Sequence, residues 1–221
     1  HGLMSDINGT KVIAVNKVCN EYNISFLAFE YSGHGCSSGD FHNYGIKDWI
    51  DQSKEIIEKI IKTKNIIIIG SSMGSWIGSC LLKKIKKKII GFVGIASAPD
   101  FTKEIMWKNF TNKTRSLIKS GKIYKMPSKY AEPYPISLKL IKGGDQSLIL
   151  NKKIKCDFPI LLFHGLKDKV VDETFSIRLA KTLVSRDVKI FFQKNGDHSL
   201  SSKKDLQLIS SQLVRLFKNT I

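Results

Sequence analysis

The sequence predicts an α/β fold, with helices crossing over a mostly parallel sheet. Two observations carry this. Strand-like apolar runs alternate with segments of helical period along the chain, and 221 residues at 42% hydrophobic composition suffice for one substantial core. Apolar runs such as Ile66-Ile-Ile-Ile69 are far shorter than a membrane span.

The elements follow in order. Residues 8–22 read as a helix and 24–29 (ISFLAF) as a buried strand, followed by a Gly- and Ser-rich loop over 31–44. From 45 to 62 the apolar residues Ile46, Trp49, Ile50, Ile56, Ile57, Ile60 and Ile61 keep a helical period. Then come a strand at 65–69, a helix at 75–86 and a strand at 89–95. The alternation breaks over 99–155, which is rich in Lys and aromatics and holds Pro127, Pro133 and Pro135. This stretch reads as a helical insertion without a clear strand, too long for an ordinary loop. The alternation resumes with a strand at 159–163, a helix near 173–183, a strand at 187–193 and a last helix from about 203 to 217. The expected division is a core of 1–98 with 156–221, and an insertion of 99–155.

The formal net charge is +17, almost all of it from Lys. Such a charge suits an anionic partner. Specific base readout favours Arg, which occurs only at 115, 178, 186 and 215. No specific nucleic-acid binding is expected; weak binding to an anionic surface is compatible with the charge. The four cysteines, Cys19, Cys36, Cys80 and Cys156, form no CxxC pair, which argues against a disulfide scaffold or zinc site and suits a reducing compartment. No cofactor or metal is called for.

Chemistry concentrates at Gly70-Ser71-Ser72-Met73-Gly74. GxSxG alone is weak, but here a strand precedes it and a helix follows, the setting of a nucleophile elbow. Small neighbours admit the tight turn, and the serine stands at a helix N-terminus, where free N–H groups stabilise negative charge. Ser72 is the candidate nucleophile. A serine needs a base and the base an orienting acid. In chain order the acid then the His should follow, each beyond a later strand. Asp168 comes just after the PILLF strand and His198 just after VKIFF. Asp172 and Asp100 are alternative acids. His34 and His42 precede the nucleophile and fit this order poorly, while His164 and Asp197 read as loop-shaping residues.

With these residues in place the chain resembles the α/β-hydrolase superfamily from its first residue to its last. The 29–39 loop (FEYSGHGCSSG) looks like the family's D-x-R/S-G-x-G-x-S loop, with Glu30 where Asp is common. HGLKDKVV at 164–171 and GDHSLS at 196–201 match two further family motifs. The opening HGLMSDINGTK, with GSSMGSW and MPSKY at 126–130, is most similar to a group of hydrolase-domain depalmitoylases and acyl-glucuronide esterases with mitochondrial and bacterial members.

The resemblance implies ester or thioester hydrolysis through an acyl-enzyme on Ser72, acting on a small-molecule or acylated-protein substrate. It implies a bacterial cytoplasmic or mitochondrial matrix location. His1-Gly2-Leu3-Met4 would be the oxyanion loop, with the N–H groups of Leu3 and Met73 as donors; one such donor is worth about 3–4 kcal/mol of barrier. Segment 99–155 would be a helical cap, whose Met106, Trp107, Phe110, Ile123, Tyr124, Met126, Tyr130 and Tyr134 either line an acyl pocket or pack the cap onto the core. Because the oxyanion loop follows the third strand of that fold, about 20–35 further residues carrying strands are expected upstream. The alternatives are a prolyl-oligopeptidase-like peptidase and an inactive fragment.

Overall fold

The computed structural model describes residues 1–62, 65–128 and 132–221. Its centre is a sheet of four parallel strands in the order β1 (Ile66–Ser71), β2 (Ile89–Ile95), β6 (Ile160–Gly165) and β8 (Val188–Gln193). Alternate residues of the inner strands go to opposite faces. Phe92, Ile160 and Leu162 join the apolar layer built with α2 (Ile46–Ile60), α3 (Met73–Lys84) and α6 (Thr174–Thr182). Val93, Ile95, Leu161 and Phe163 join the layer built with α1 (Thr10–Glu21) and α7 (Lys203–Thr220). A strand covered on both faces has no polar side to show, which is why these runs are continuously apolar.

The helices carry matching faces. In α2 the buried positions are Ile46, Trp49, Ile50, Ser53 and Ile57, and Gly45 N–H donates to Asp48 Oδ2 (2.9 Å), closing the first turn. In α7 they include Ile209, Leu213, Leu216 and Phe217, and Ser202 and Asp205 cap each other reciprocally. Each such Leu or Ile contributes about 1.5–3 kcal/mol by leaving water. Among the described residues no helix is long and apolar enough to cross a membrane.

Two expectations change. Residues 24–29 form no strand. Phe26 and Leu27 are 37% and 43% exposed, and β1, at the edge of the sheet, pairs only with β2 among the described residues. An apolar run supplies strand propensity, but a strand exists only as one side of a ladder. Second, 99–155 is not wholly helical. A π-helical turn at Thr102–Trp107, α4 (Asn112–Lys119) and α5 (Leu138–Asp145) are joined by β3 (Tyr124–Met126) and β4 (Tyr134–Ile136), which pair antiparallel. These strands are three residues each, and prolines at 133 and 135 masked them in the sequence. A further short pair joins β5 (Ile154–Lys155) to β7 (Leu183–Val184). The expected contributions of Lys129 and Tyr130 lie outside the described residues.

Candidate active site

Three parallel strands end at one edge of the sheet, and each delivers one side chain. Beyond β1 the chain turns straight into α3, with Ser72 alone between them at φ 53° and ψ −115°. Its N–H donates to Ile95 O (2.8 Å), and its carbonyl accepts from Ser75 N–H (3.1 Å). The turn leaves no room at either flanking glycine. A Cβ on Gly70 would lie 2.4 Å from the Gly74 carbonyl carbon, and one on Gly74 would lie 2.6 Å from His1 O. The helix thus begins at Met73, two residues earlier than its apolar pattern suggests.

Beyond β6, Asp168 turns inward with its side chain 1% exposed. Oδ1 accepts Val170 and Val171 N–H (2.8 and 2.9 Å). Oδ2 accepts His198 Nδ1–H at 2.6 Å. His198, in the loop beyond β8, places Nε2 at 3.0 Å from Ser72 Oγ. With the proton held at Nδ1 by Asp168, Nε2 is the acceptor facing the serine hydroxyl. Burial alone would raise the Asp168 pKa; hydrogen bonds from His164 and His198, and the His198 charge, outweigh it and hold the carboxyl well below the usual range.

The other histidines and acids take different places. His164 is fully buried in β6: Nδ1 meets Ser176 Oγ (2.7 Å), and Nε2 lies 3.0 Å from Val171 O and 3.4 Å from Asp168 Oδ2. It braces the 165–171 turn and backs Asp168, a contact the sequence did not reveal because its HGLKD spacing reads only as a loop. Asp172 accepts Thr174 N–H within its own turn, and Asp100, just beyond β2, accepts Ile149 and Leu150 N–H from a distant segment, so both carboxylates are engaged by backbone. Asp197 accepts Ser199 and Leu200 N–H. His34 is buried against Tyr31, Phe41 and Trp49, and burial lowers its pKa to about 4, leaving the ring neutral. His42 lies in a 3-10 turn at Phe41–Asn43, outside the Ser72–His198–Asp168 line.

The opening segment lies over the serine. A Cβ on Gly2 would sit 3.6 Å from Ser72 Cβ. His1 fixes the loop's shape: Nδ1–H donates to Gly2 O (2.9 Å), and Nε2 accepts Tyr31 N–H (3.3 Å). Ser5 N–H closes a turn onto Gly2 O, with Met4 at φ 52°. Neither Leu3 N–H nor Met73 N–H donates to a group of the described residues. The loop at 31–39 is held in turn by Glu30, whose carboxylate accepts Cys36 N–H (2.6 Å) and Ile7 N–H (3.4 Å).

A parallel sheet bearing a Ser–His–Asp line at its C-terminal edge defines the α/β-hydrolase class. Residues 1–135 match the family described as serine aminopeptidase, S33. The mitochondrial palmitoyl-protein thioesterase ABHD10 of Bos taurus is 31% identical over 210 residues, 94% of this chain and 68% of that protein. A hydrolase from Agrobacterium vitis S4 superposes with a TM-score of 0.93 at 26% identity, over 97% of this chain and 85% of that one. The mouse α/β-hydrolase domain-containing protein 10 does so with 0.88 at 28%, over 99% and 87%. The chain belongs to this α/β-hydrolase family, in its depalmitoylase-like group, and is a hydrolase of esters or thioesters.

Proposed function

We propose that the chain cleaves acyl esters or S-acyl thioesters through an acyl-enzyme on Ser72, with acylated proteins or small acyl esters as substrates. Ser72 Oγ attacks the acyl carbonyl while His198 Nε2 takes its proton. The oxyanion lies against the N–H groups of Leu3 and Met73. Collapse expels the alcohol or thiol, which receives the proton from His198. Water then attacks the acyl-enzyme by the same proton route and releases the carboxylic acid. Asp168 keeps the imidazole in the tautomer that accepts at Nε2. The observation that carries this reading is the hydrogen-bonded line Ser72 Oγ–His198–Asp168, at 3.0 and 2.6 Å.

Segment 99–155 is the proposed cap over the acyl chain. In support, α5 packs on α2 of the core and Phe110 meets Tyr124 edge to face across the segment. The named thioesterase relatives are mitochondrial; for this chain the reading is a reducing compartment, mitochondrial matrix or bacterial cytoplasm.

The test is fluorophosphonate labelling of the chain, with a series of p-nitrophenyl esters and S-acyl thioesters of rising chain length and an aminoacyl-nitroanilide. Labelling lost in Ser72→Ala, with ester or thioester turnover, is the expected result. Turnover of the nitroanilide alone favours a peptidase, and a folded chain that neither labels nor turns over any substrate sinks the proposal.

A further inference from the structure

The loop carrying His198 is held from outside itself. Within residues 194–201, Asp197 Oδ1 accepts Ser199 N–H (2.9 Å), Ser199 Oγ–H (2.6 Å) and Leu200 N–H (3.2 Å). Leu200 follows at φ 44° with its side chain buried. These contacts set the shape of the loop, not its place against Ser72. Its place depends on contacts from other segments: Lys167 N–H donates to Gly196 O (2.9 Å), His198 Nδ1–H to Asp168 Oδ2 (2.6 Å), and α1 adds another. Lys11 Nζ donates to the carbonyl of Ser199 and lies 3.5 Å from Ser201 Oγ, which itself donates to the same carbonyl (3.0 Å). The side chain is half-buried. Burial lowers its pKa, while the nearby charges of Asp197 and Asp205 favour the ammonium.

We propose that Lys11 is a positioning residue: its ammonium ties α1 to the His198 loop and so holds the imidazole at hydrogen-bond distance from Ser72. This rests on the reading of Ser72 and His198 as the catalytic pair. Lys11 is the second residue of α1, the helix into which the opening loop runs. One side chain therefore joins the segment bearing Leu3 N–H to the segment bearing His198. An ammonium suits this position, because a compact charge with three donors can serve a carbonyl and a hydroxyl side by side. Lys11→Met keeps the stem and removes the charge, leaving the Ser199 carbonyl without its ammonium donor.

The experiment compares the whole chain as wild type, Lys11→Met, Lys11→Arg and Ser72→Ala. It reads kcat and KM on a p-nitrophenyl ester, the rate of fluorophosphonate labelling, and amide hydrogen exchange over 194–202. In Lys11→Met, kcat should fall about 10- to 100-fold, the scale of a small misplacement of a reacting group. KM should stay within about twofold, since substrate contacts are untouched. Labelling should slow in step, exchange should quicken, and Lys11→Arg should recover most of the loss. Active-site titration gives kcat per folded molecule; if Lys11→Met does not fold, Lys11→Gln replaces it. A lowered melting point with kcat per folded molecule unchanged overturns the proposal, as does a loss that appears only in KM. Full turnover in Ser72→Ala would instead overturn the catalytic reading beneath it.

Discussion

At the residue scale the site works through exclusion as much as contact. Asp168 is removed from water and its oxygens are all engaged by N–H groups, which suits its proposed role of defining which His198 nitrogen carries the proton. Asp168→Asn offers an amide in place of an acceptor and favours the wrong tautomer. It should lower kcat on the order of 10⁴-fold while the chain stays folded, measured by ester turnover and circular dichroism. The same carboxyl couples to pH. Its folded pKa lies below the unfolded value, so its stabilising contribution is complete above the unfolded value of about 4 and is lost as pH falls through the folded one. Urea titrations from pH 6 down to pH 2 should show a shallower acid decline in Asp168→Asn than in the wild type. An equal decline would show that the carboxyl is not held down in the fold.

At the element scale the β1–α3 junction sets the spacing of the whole site. Gly74→Ala places a methyl against the backbone of His1 and should push the opening loop away from Ser72. If Leu3 N–H is a donor, kcat should fall by about 10²-fold, with fluorophosphonate labelling weakened but not abolished. This junction was also the most legible part of the sequence. IIIIG before Ser72 and SWIGSCLL after it announce strand, turn and helix, because a chain this tight accepts few residue types. The residues beyond β6 and β8 were legible for a related reason: parallel strands deliver their ends to one edge. Less was readable where structure depends on a partner distant in sequence. Residues 24–29 have the composition of a strand and lack a ladder, and Tyr124–Met126 with Tyr134–Ile136 have a ladder but too few residues to show a period. Lys11 looked like any helix-surface lysine, since Ser199 lies 188 residues away.

At the scale of the whole molecule, the segment proposed as a cap packs on the parallel-sheet core through α5 and α2. If the cap receives the acyl chain, the Phe110–Tyr124 pair is part of its wall. Phe110→Ala should then raise KM for long-chain esters about tenfold, while acetyl esters are hydrolysed as before. An equal loss on both would make the pair simple packing. The surrounding fold also imposes a backbone conformation on the proposed nucleophile. Ser72 sits at φ 53°, ψ −115°, a region that disfavours any residue with a Cβ and suits glycine. The strain is held in place by the β1 ladder, by α3 and by the bond to Ile95 O, and it is relaxed when the chain unfolds. Ser72→Gly should therefore yield an inert protein that is harder to melt, by about 1 kcal/mol once the greater freedom of unfolded glycine is offset. In a chain of this length that is a rise of roughly 2–4 °C in Tm. On stability alone glycine would serve better at this position, so the strain is the cost of placing a hydroxyl where the proposed chemistry needs one.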